Sequence, residues 1–276
     1  MQPINCLNLC EILPYLMKKR SIQEILTDAR KLAQFTTCGR LYVGSSFCGK
    51  YFLHQSDTTL TELSARCNKE DMKVTLVLPP FSEGDLEAGK HKISQIMECC
   101  KDTIDEITVN DFGMLPYVKE NYNIAINLGR LFMKDYRDPR YTEYFEIPWR
   151  PKMFTTYLKR VLKEYSIYSC EFDLTHKVMD FSKVPKDIVP GLHVPYCYQT
   201  VGRICEYGSI SKDIAKKFRT NDDCDEKCVE NYIEYALPDE NLKYIRFGRT
   251  VYFKHPGYDV RGLRECRVIY FPIDLK

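Results

Sequence analysis

Short apolar runs alternate with amphipathic helical patterns along most of this chain, and that alternation constrains the fold more than any other feature. The helical pattern Ile22–Phe35 precedes an apolar run at Leu41–Phe47, and the pattern Glu87–Cys100 separates Val74–Leu78 from Glu106–Val109. Strands spaced by helices of this length favour repeated βα units and a mainly parallel sheet. The chain has 276 residues, and about six to eight such units would approach the size of a (β/α)8 barrel.

The predicted strands end in polar or cysteine residues, which favours a TIM-like (β/α) barrel, complete or incomplete, over an open doubly wound sheet. In a barrel, such strand ends converge on one mouth. The segment Tyr207–Asn241 is charged and breaks the alternation. We expect one domain over residues 1–276, with a cysteine-bearing insertion at 205–241 over the C-terminal mouth. The remaining predicted strands are Asn123–Leu128, Ser169–Leu174, Gly191–Tyr198, Tyr244–Phe253 and Arg267–Pro272, and Lys152–Tyr165 is predicted to be helical.

Charge and hydropathy exclude several classes of protein. The formal net charge is +2, so overall charge does not argue for a nucleic-acid or membrane partner. The longest stretch without Lys, Arg, Asp or Glu, Ile188–Gly202, is broken by Pro190 and Pro195, which makes it too short and too kinked for membrane insertion. No secretory signal is visible at the N-terminus, so we expect a cytoplasmic protein. Its 13 cysteines are then expected to be reduced thiols.

Four cysteines cluster in the second half of the sequence, and their setting suggests a metal centre. Cys224 and Cys228 form a C-x3-C pair among acidic residues, a setting too polar for core thiols. Thiolates bind both iron–sulfur clusters and structural zinc. Zinc sites commonly use two tight pairs, whereas Cys197 and Cys205 are widely spaced, and this spacing favours a cluster. Zinc binding and unligated buried cysteines are the alternatives.

Cys48 follows the predicted strand Leu41–Phe47 and admits three interpretations. The stretch Gly44–Lys50 matches the phosphate-loop pattern G-x-x-x-x-G-K, but Tyr51 stands where Ser or Thr would hold Mg²⁺. A nucleophilic Cys48 would need a base, and the histidines of the chain form no signature around it. As a metal ligand, Cys48 would lie at the barrel mouth, within reach of the loop that carries the later cysteines. We favour this third interpretation.

Several stretches resemble, in the same order, motifs of the collagenase-like peptidase family, peptidase U. The strand end Leu41–Lys50 is similar to the pattern YLGE…CSKR of that family. The stretch Val109–Arg140 contains NDFG, NLGRL and RDPR and is similar to its NDLG…LGRLL…RDPR pattern. The run Tyr198–Cys205 resembles its YSGRC signature, and a C-x3-C pair follows. The resemblance extends over most of the chain from about residue 40 onward, as whole-domain family relationships do.

The resemblance implies an incomplete or modified TIM-like barrel that holds one 4Fe-4S cluster on four cysteines. Within the family, the chain most resembles the iron–sulfur proteins of anaerobic ubiquinone biosynthesis, in which one ligand comes from the early strand end and three from the later loop. Other members use the position of Cys197 and a ligand well downstream, where this chain offers Cys266. We take Cys197 as the substitute candidate. The implied ligand set is Cys48, Cys205, Cys224 and Cys228.

The function implied by the resemblance is oxygen-independent hydroxylation of a quinone precursor or of RNA. The extra C-terminal domain of longer members is not seen, which argues against RNA as the substrate. The alternatives are a non-catalytic iron–sulfur subunit that works with a homologous partner, and a zinc-stabilised binding module. Peptidase activity is not expected, because the sequence has no H-E-x-x-H or G-x-S-x-G motif and no Ser/His/Asp signature.

Polar residues at other predicted strand ends are candidates for substrate binding. Asp111, Asn127 and Arg130 would face the barrel mouth, and an arginine can bind an anionic substrate through two parallel hydrogen bonds. The alternative is a structural ion pair between Arg130 and Asp111. His193 lies within an apolar strand pattern, so we expect a hydrogen-bonded barrel histidine. The basic run Lys212–Arg219 is expected to be a solvated helix face.

Overall fold

A closed barrel of eight parallel strands forms the centre of the molecule, with a second, four-stranded antiparallel sheet beside it. This architecture was obtained as a computed structural model that describes residues 3–133, 149–175, 178–220, 223–236, 243–257, 263 and 265–275. The predicted TIM-like α/β barrel is confirmed, and it is closed rather than incomplete. The RDPR stretch and residues 221–222 and 237–241 of the predicted insertion lie outside the described residues.

The barrel strands follow one another in the order β1-β12-β7-β6-β5-β4-β3-β2, and β2 pairs with β1 to close the ring. Near the closure, Cys6 of the first strand lies opposite Arg40 of the second, and Ile4 lies opposite Arg267 of the last. Every pair in the ring is parallel, so the carboxyl ends of all eight strands meet at one mouth. The strands are β1 (Ile4–Asn8), β2 (Arg40–Gly44), β3 (Lys73–Leu78), β4 (Ile104–Val109), β5 (Ala125–Leu128), β6 (Ser169–Asp173), β7 (Val189–Val194) and β12 (Arg267–Tyr270).

Helices cross between the first six barrel strands, as the alternating pattern predicts. Helix α2 shows why: Ser21 caps it with a reciprocal Ser21–Glu24 capping box, and Ile25, Leu26 and Ala29 form its buried face. The apolar core lies between such faces and the outer surface of the barrel. The helices are α1 (Leu13–Met17), α2 (Ile22–Ala33), α3 (Gly49–Leu53), α4 (Asp57–Lys69), α5 (Leu86–Cys100), α6 (Met114–Asn121) and α7 (Thr156–Glu164).

The chain passes from β7 to β12 through the second sheet instead of through a helix. The predicted strand Gly191–Tyr198 is in fact divided at Pro195 between two sheets, because proline has no N–H to continue a ladder. The predicted segment Tyr244–Phe253 is a hairpin. The strands of this sheet, in the order β8-β11-β10-β9, are β8 (Tyr196–Val201), β9 (Ile233–Ala236), β10 (Lys243–Phe247) and β11 (Thr250–Lys254).

Charged and polar side chains fill much of the barrel interior. Near the amino ends of the strands, Arg267 forms two hydrogen bonds with Glu106, at 2.7 and 2.8 Å. Higher in the barrel, Glu171 accepts a hydrogen bond from Thr108, and its other oxygen lies 2.8 Å from His193 Nε2. The interior is therefore a packed polar network and not a channel. Within the described residues, no helix combines the length and the apolar character that crossing a bilayer requires.

Candidate metal centre

A cleft at the barrel mouth is lined by four cysteines from two distant parts of the sequence. It measures about 930 Å³, part of which is open to solvent, and it lies between the carboxyl ends of β1–β3 and the second sheet. Ligand sites of (β/α)8 barrels occur at this end of the strands. The cysteines that line the cleft are Cys48, Cys205, Cys224 and Cys228.

The loop after β2 presents Cys48 to this cleft, and a buried carboxylate holds the loop in place. Glu11, which follows β1, accepts hydrogen bonds from Ser45 Oγ at 2.8 Å and from the backbone N–H of Ser46 at 2.5 Å and of Phe47 at 3.3 Å. Ser45 Oγ in turn accepts the Cys48 N–H at 3.0 Å. These bonds fix the backbone up to Cys48, which is the residue immediately before α3.

This arrangement corrects two alternative interpretations of the loop. A phosphate loop needs free backbone N–H groups to bind its anion, but the N–H groups of Ser46 and Phe47 already bind Glu11. Lys50 is paired with Asp85 at 2.7 Å. As for a nucleophilic Cys48, the described residues that line the cleft include no histidine to act as its base.

The other three cysteines come from the irregular segment that follows β8. Cys205 precedes a short 3-10 turn, and Cys228 lies within another one, Lys227–Val229. Cys224 Sγ accepts a hydrogen bond from the Glu226 N–H at 3.3 Å. The side chain of Cys228 is 8% exposed, and the other three cleft cysteines are only partly buried. The C-x3-C pair therefore lies at the cleft on an irregular stretch that ends in a single 3-10 turn, not on an α-helix.

Electrostatic interactions connect the two groups of thiols across the cleft. Burial raises the pKa of Cys48, and the nearby Cys205 contributes to the increase, whereas the positive charge of Arg249 opposes it. Burial likewise raises the pKa of Cys224, with contributions from Cys48 and Cys205. Charges influence each other this way only over short distances. Cys48 and the three later cysteines also line the same cleft.

The turn between β10 and β11 forms another wall of the cleft. Gly248 has a φ of +55°, a conformation that favours glycine. A Cβ added at Gly248 would lie 3.7 Å from Cys228 Sγ. The next residue, Arg249, donates a hydrogen bond from Nε to the Phe47 carbonyl at 2.8 Å, and its Nη2 donates to the same oxygen.

The four thiols match the donor chemistry of an iron–sulfur cluster, and all of them are free of disulfides. Among the described residues, however, no three His, Cys, Asp or Glu side chains are grouped so that they could hold a single metal ion. Sulfurs around one zinc lie about 2.3 Å from it and therefore less than about 4 Å from one another. The chemistry and location of the donors thus fit a cofactor here, but the cleft is not preformed around one ion.

The other proposed cysteine ligands lie elsewhere. Cys197 is fully buried on β8, where its Sγ donates to the His193 carbonyl at 3.4 Å, and it packs in an apolar cluster with Val251 and Phe253. Cys266 immediately precedes β12 and therefore lies at the amino end of the barrel, opposite the mouth. Neither residue lines the cleft.

The three predicted substrate-binding residues also lie outside the cleft lining. Asp111 Oδ1 accepts the N–H of Met114, the first residue of α6, at 3.0 Å. Asn127 is buried in the barrel interior, where its Nδ2 donates to Thr108 at 2.8 Å. The structure does not bring these residues into the cleft, and their role in substrate binding stays a prediction.

The alternative of an ion pair between Arg130 and Asp111 is wrong. Arg130 is 1% exposed and binds Asp173 through Nε at 2.8 Å and through Nη2, so its partner is Asp173 and not Asp111. His193 is buried and contacts Glu171 through Nε2, as expected, although its Nδ1 has no hydrogen-bond partner among the described residues. The basic run forms irregular backbone with one 3-10 turn, not a helix.

Sequence reasoning missed Glu11, Tyr51 and Arg249 as residues of the cleft. Glu11 has a φ of +64°, which no local pattern indicates, and it binds a loop more than thirty residues away. The hydroxyl of Tyr51 is buried without a hydrogen-bond partner among the described residues, at the boundary of the cleft and a neighbouring cavity. A charged residue next to the glycine of a hairpin turn was the only available signal for Arg249.

Comparison with known proteins identifies no family for this chain. No family model and no curated protein matches it. Among solved structures, the chain is similar to the protein TT1561 of Thermus thermophilus, with 5% sequence identity and a TM-score of 0.31 over 62% of this chain and 80% of that one. A likeness at this level bears on neither fold nor function.

Proposed function

We propose that this chain binds an iron–sulfur cluster of the 4Fe-4S type on four cysteines of the barrel mouth. The observation that carries the proposal is that cysteines more than 150 residues apart in sequence line one cleft. Barrel mouths are where this fold forms its functional sites. The proposed ligands are Cys48, Cys205, Cys224 and Cys228.

The spacing of the cysteines in the sequence favours a cluster over a zinc ion. In a four-iron cluster each iron has its own cysteine, so the ligand sulfurs are farther apart than those around one zinc. Four cysteines that line one cleft would supply one thiolate for each iron of such a cluster. Cys224 lies in irregular backbone and Cys228 in a single 3-10 turn, and such backbone can adjust when a cofactor binds.

A bound cluster would supply one-electron transfer, because four cysteine ligands leave no open position on iron. The protein would tune that chemistry through the surroundings of the cleft. Glu11 fixes the Cys48 loop, and Phe47 and Tyr252 pack beneath the site and exclude water from the barrel side. Hydrogen bonds to ligand sulfurs, such as that from the Glu226 N–H to Cys224, are one means by which a protein adjusts a reduction potential.

We further propose that the cluster serves oxygen-independent hydroxylation of a quinone precursor or of RNA, together with a homologous partner subunit. This part of the proposal rests on the resemblance of the sequence motifs to the peptidase-U family. A cluster with four cysteine ligands suits an electron-transfer subunit of such a system. Activity of the purified chain alone, compared with activity in the presence of a homologous partner, would separate a complete enzyme from a subunit.

Single cysteine substitutions test the ligand assignment. Each of C48S, C205S, C224S and C228S is expected to lose most of the broad absorbance near about 400 nm that an iron–sulfur cluster gives after anaerobic reconstitution with iron and sulfide. The matched controls are C197S in the core and C99S on the exposed surface of α5. Both controls are expected to retain the wild-type spectrum.

Other outcomes would contradict the proposal in distinguishable ways. Loss of the absorbance in C197S but not in C48S would show that Cys197, and not Cys48, is the fourth ligand. A colourless protein that binds zinc through the same four cysteines would show that the site holds zinc and not a cluster. A protein that binds neither metal would overturn the proposal.

A further inference from the structure

The turn between β10 and β11 contacts both cysteine-bearing segments of the cleft. On one side, Arg249 donates two hydrogen bonds to the carbonyl of Phe47, the residue immediately before Cys48. On the other side, Gly248 lies beside Cys228, and a Cβ added at Gly248 would be in van der Waals contact with its Sγ at 3.7 Å. The turn therefore lies between one cysteine of the barrel and one of the later segment.

The loop that carries Cys48 is held from two directions. From the barrel, the Glu11 carboxylate accepts the backbone N–H groups of Ser46 and Phe47. From the second sheet, the Arg249 guanidinium binds the Phe47 carbonyl. The contact with the Arg249 guanidinium is a charge-assisted hydrogen bond, and such bonds are shorter and stronger than neutral ones. Together the two contacts fix the peptide that leads into Cys48.

The side chain of Arg249 is suited to this contact in a way that lysine is not. Two N–H groups of one planar guanidinium converge on a single oxygen, which fixes the direction of approach. Among the described residues, Arg249 is paired with no carboxylate within ion-pair distance. Its charge therefore stays close to the thiols, and a cluster held by four thiolates would be anionic overall.

We propose that Arg249 is a positioning residue, which holds Cys48 against the cysteines of the later segment and stabilises the negative charge of a bound cluster. The effect on the cluster rests on the proposed function. The effect on the Cys48 loop does not, so the two can be tested separately in one set of variants.

Hydrogen–deuterium exchange of the metal-free protein tests the positioning role. In R249M, we expect the amides of residues 46–48 to exchange roughly tenfold faster or more, the factor that corresponds to loss of a hydrogen bond to a charged group. R249K retains the charge and one donor, and an intermediate rate is expected. The matched control is R246M, which removes a charge from the same hairpin, where Arg246 pairs with exposed Glu206.

The cluster provides the second readout. After anaerobic reconstitution, R249M is expected to retain less iron and to have a lower reduction potential than the wild type, because a positive charge near the cluster favours its more negative reduced form. R249K retains the positive charge, so we expect it to keep the wild-type reduction potential. Its Cys48 loop is expected to be less ordered than that of the wild type. R246M should match the wild type in both measurements.

The two proposals fail in different ways. Exchange in R249M that equals that of the wild type or of R246M would overturn the positioning role. A wild-type protein that takes up no iron would overturn the proposed function, and faster exchange in R249M would then still establish the contact. Equal iron content and equal potential in R249M and the wild type would overturn the role of the charge.

Discussion

Arg130 is enclosed at the carboxyl end of β5 by three aromatic rings and one carboxylate. Its guanidinium lies 5.3 Å from the ring centre of Phe47, 5.5 Å from that of Tyr198 and 5.8 Å from that of Tyr252, and it binds Asp173 through two nitrogens. Removing one partner of a buried ion pair leaves the other charge uncompensated. Arg130 therefore stabilises the floor of the cleft through its ion pair with Asp173.

We predict that R130M lowers the free energy of unfolding by about 3–5 kcal/mol, because the buried Asp173 carboxylate would lose the positive charge that compensates it. Denaturant titration measures the change. R20M is the matched control, since Arg20 pairs with Asp28 at the surface and such pairs contribute little. A change in R130M no larger than that in R20M would show that the pair is not structural.

The sequence singles out the cysteines of the cleft, but it does not indicate the ion-pair partner of Arg130. The C-x3-C pair stands out because thiols are unusual among acidic residues. Arg130 and Asp111 both follow predicted strands, and no local pattern tells which is buried or which carboxylate pairs with the arginine. Asp173 lies 43 residues from Arg130, and only the closed barrel brings them together.

Strand β6 places a carboxyl group in the barrel interior, where its protonation depends on the fold. Burial raises the pKa of Glu171 to about 8, and hydrogen bonding by Thr108 opposes the increase only in part. Burial also lowers the pKa of the neighbouring His193 well below its ordinary value, so the imidazole is neutral. At neutral pH, Glu171 is therefore mostly protonated in the folded protein and ionised in the unfolded chain.

The stability contributed by Glu171 is greatest below the ordinary carboxyl pKa and is lost as the pH rises through about 8. E171Q cannot ionise, and its amide can replace the protonated carboxyl. As the pH rises between these two pKa values, the wild type loses stability that E171Q keeps. We predict that the difference between their free energies of unfolding grows by up to about 1.4 kcal/mol per pH unit. Unfolding titrations at several pH values, with exposed E62Q as control, measure the difference. An identical pH dependence of the E171Q and wild-type proteins would contradict the assignment.

The elements most accurately predicted are those with strong periodicity. The patterns for β2 to β6 and for α2, α5 and α7 all correspond to observed elements, although their ends differ by a few residues. Strand β1 was missed because Ile4–Asn8 alternates with polar residues near the N-terminus and has no flanking signal. The switch from β7 to β8 at Pro195 depends on tertiary pairing, which a local pattern does not contain.

At the scale of the whole molecule, the proposed cluster would join the barrel to the segment between β7 and β12. Cys48 belongs to the barrel and the other three ligands to that segment, so one cofactor would cross-link two parts of the chain. A ligand that binds only the folded state stabilises it by mass action, and metal binding to cysteines is coupled to folding. The alternation of elements predicted the barrel, but the position of this segment beside the mouth follows from long-range contacts.

We predict that anaerobic reconstitution raises the midpoint of thermal unfolding, by about 2–4 °C for each kcal/mol of binding energy that reaches the folded state. C228S, which removes one proposed ligand, is expected to show no such increase, whereas C99S should behave like the wild type. Differential scanning calorimetry under nitrogen measures the midpoints. An equal increase in C228S and C99S would show that the stabilisation does not arise at the cleft.

The most direct test of the central claim is to count iron and acid-labile sulfide in the anaerobically reconstituted wild-type protein. A 4Fe-4S cluster in the cleft predicts about four iron and about four sulfide per chain. Iron without sulfide, or neither above the level found in C48S, would contradict the claim that these four cysteines hold a cluster.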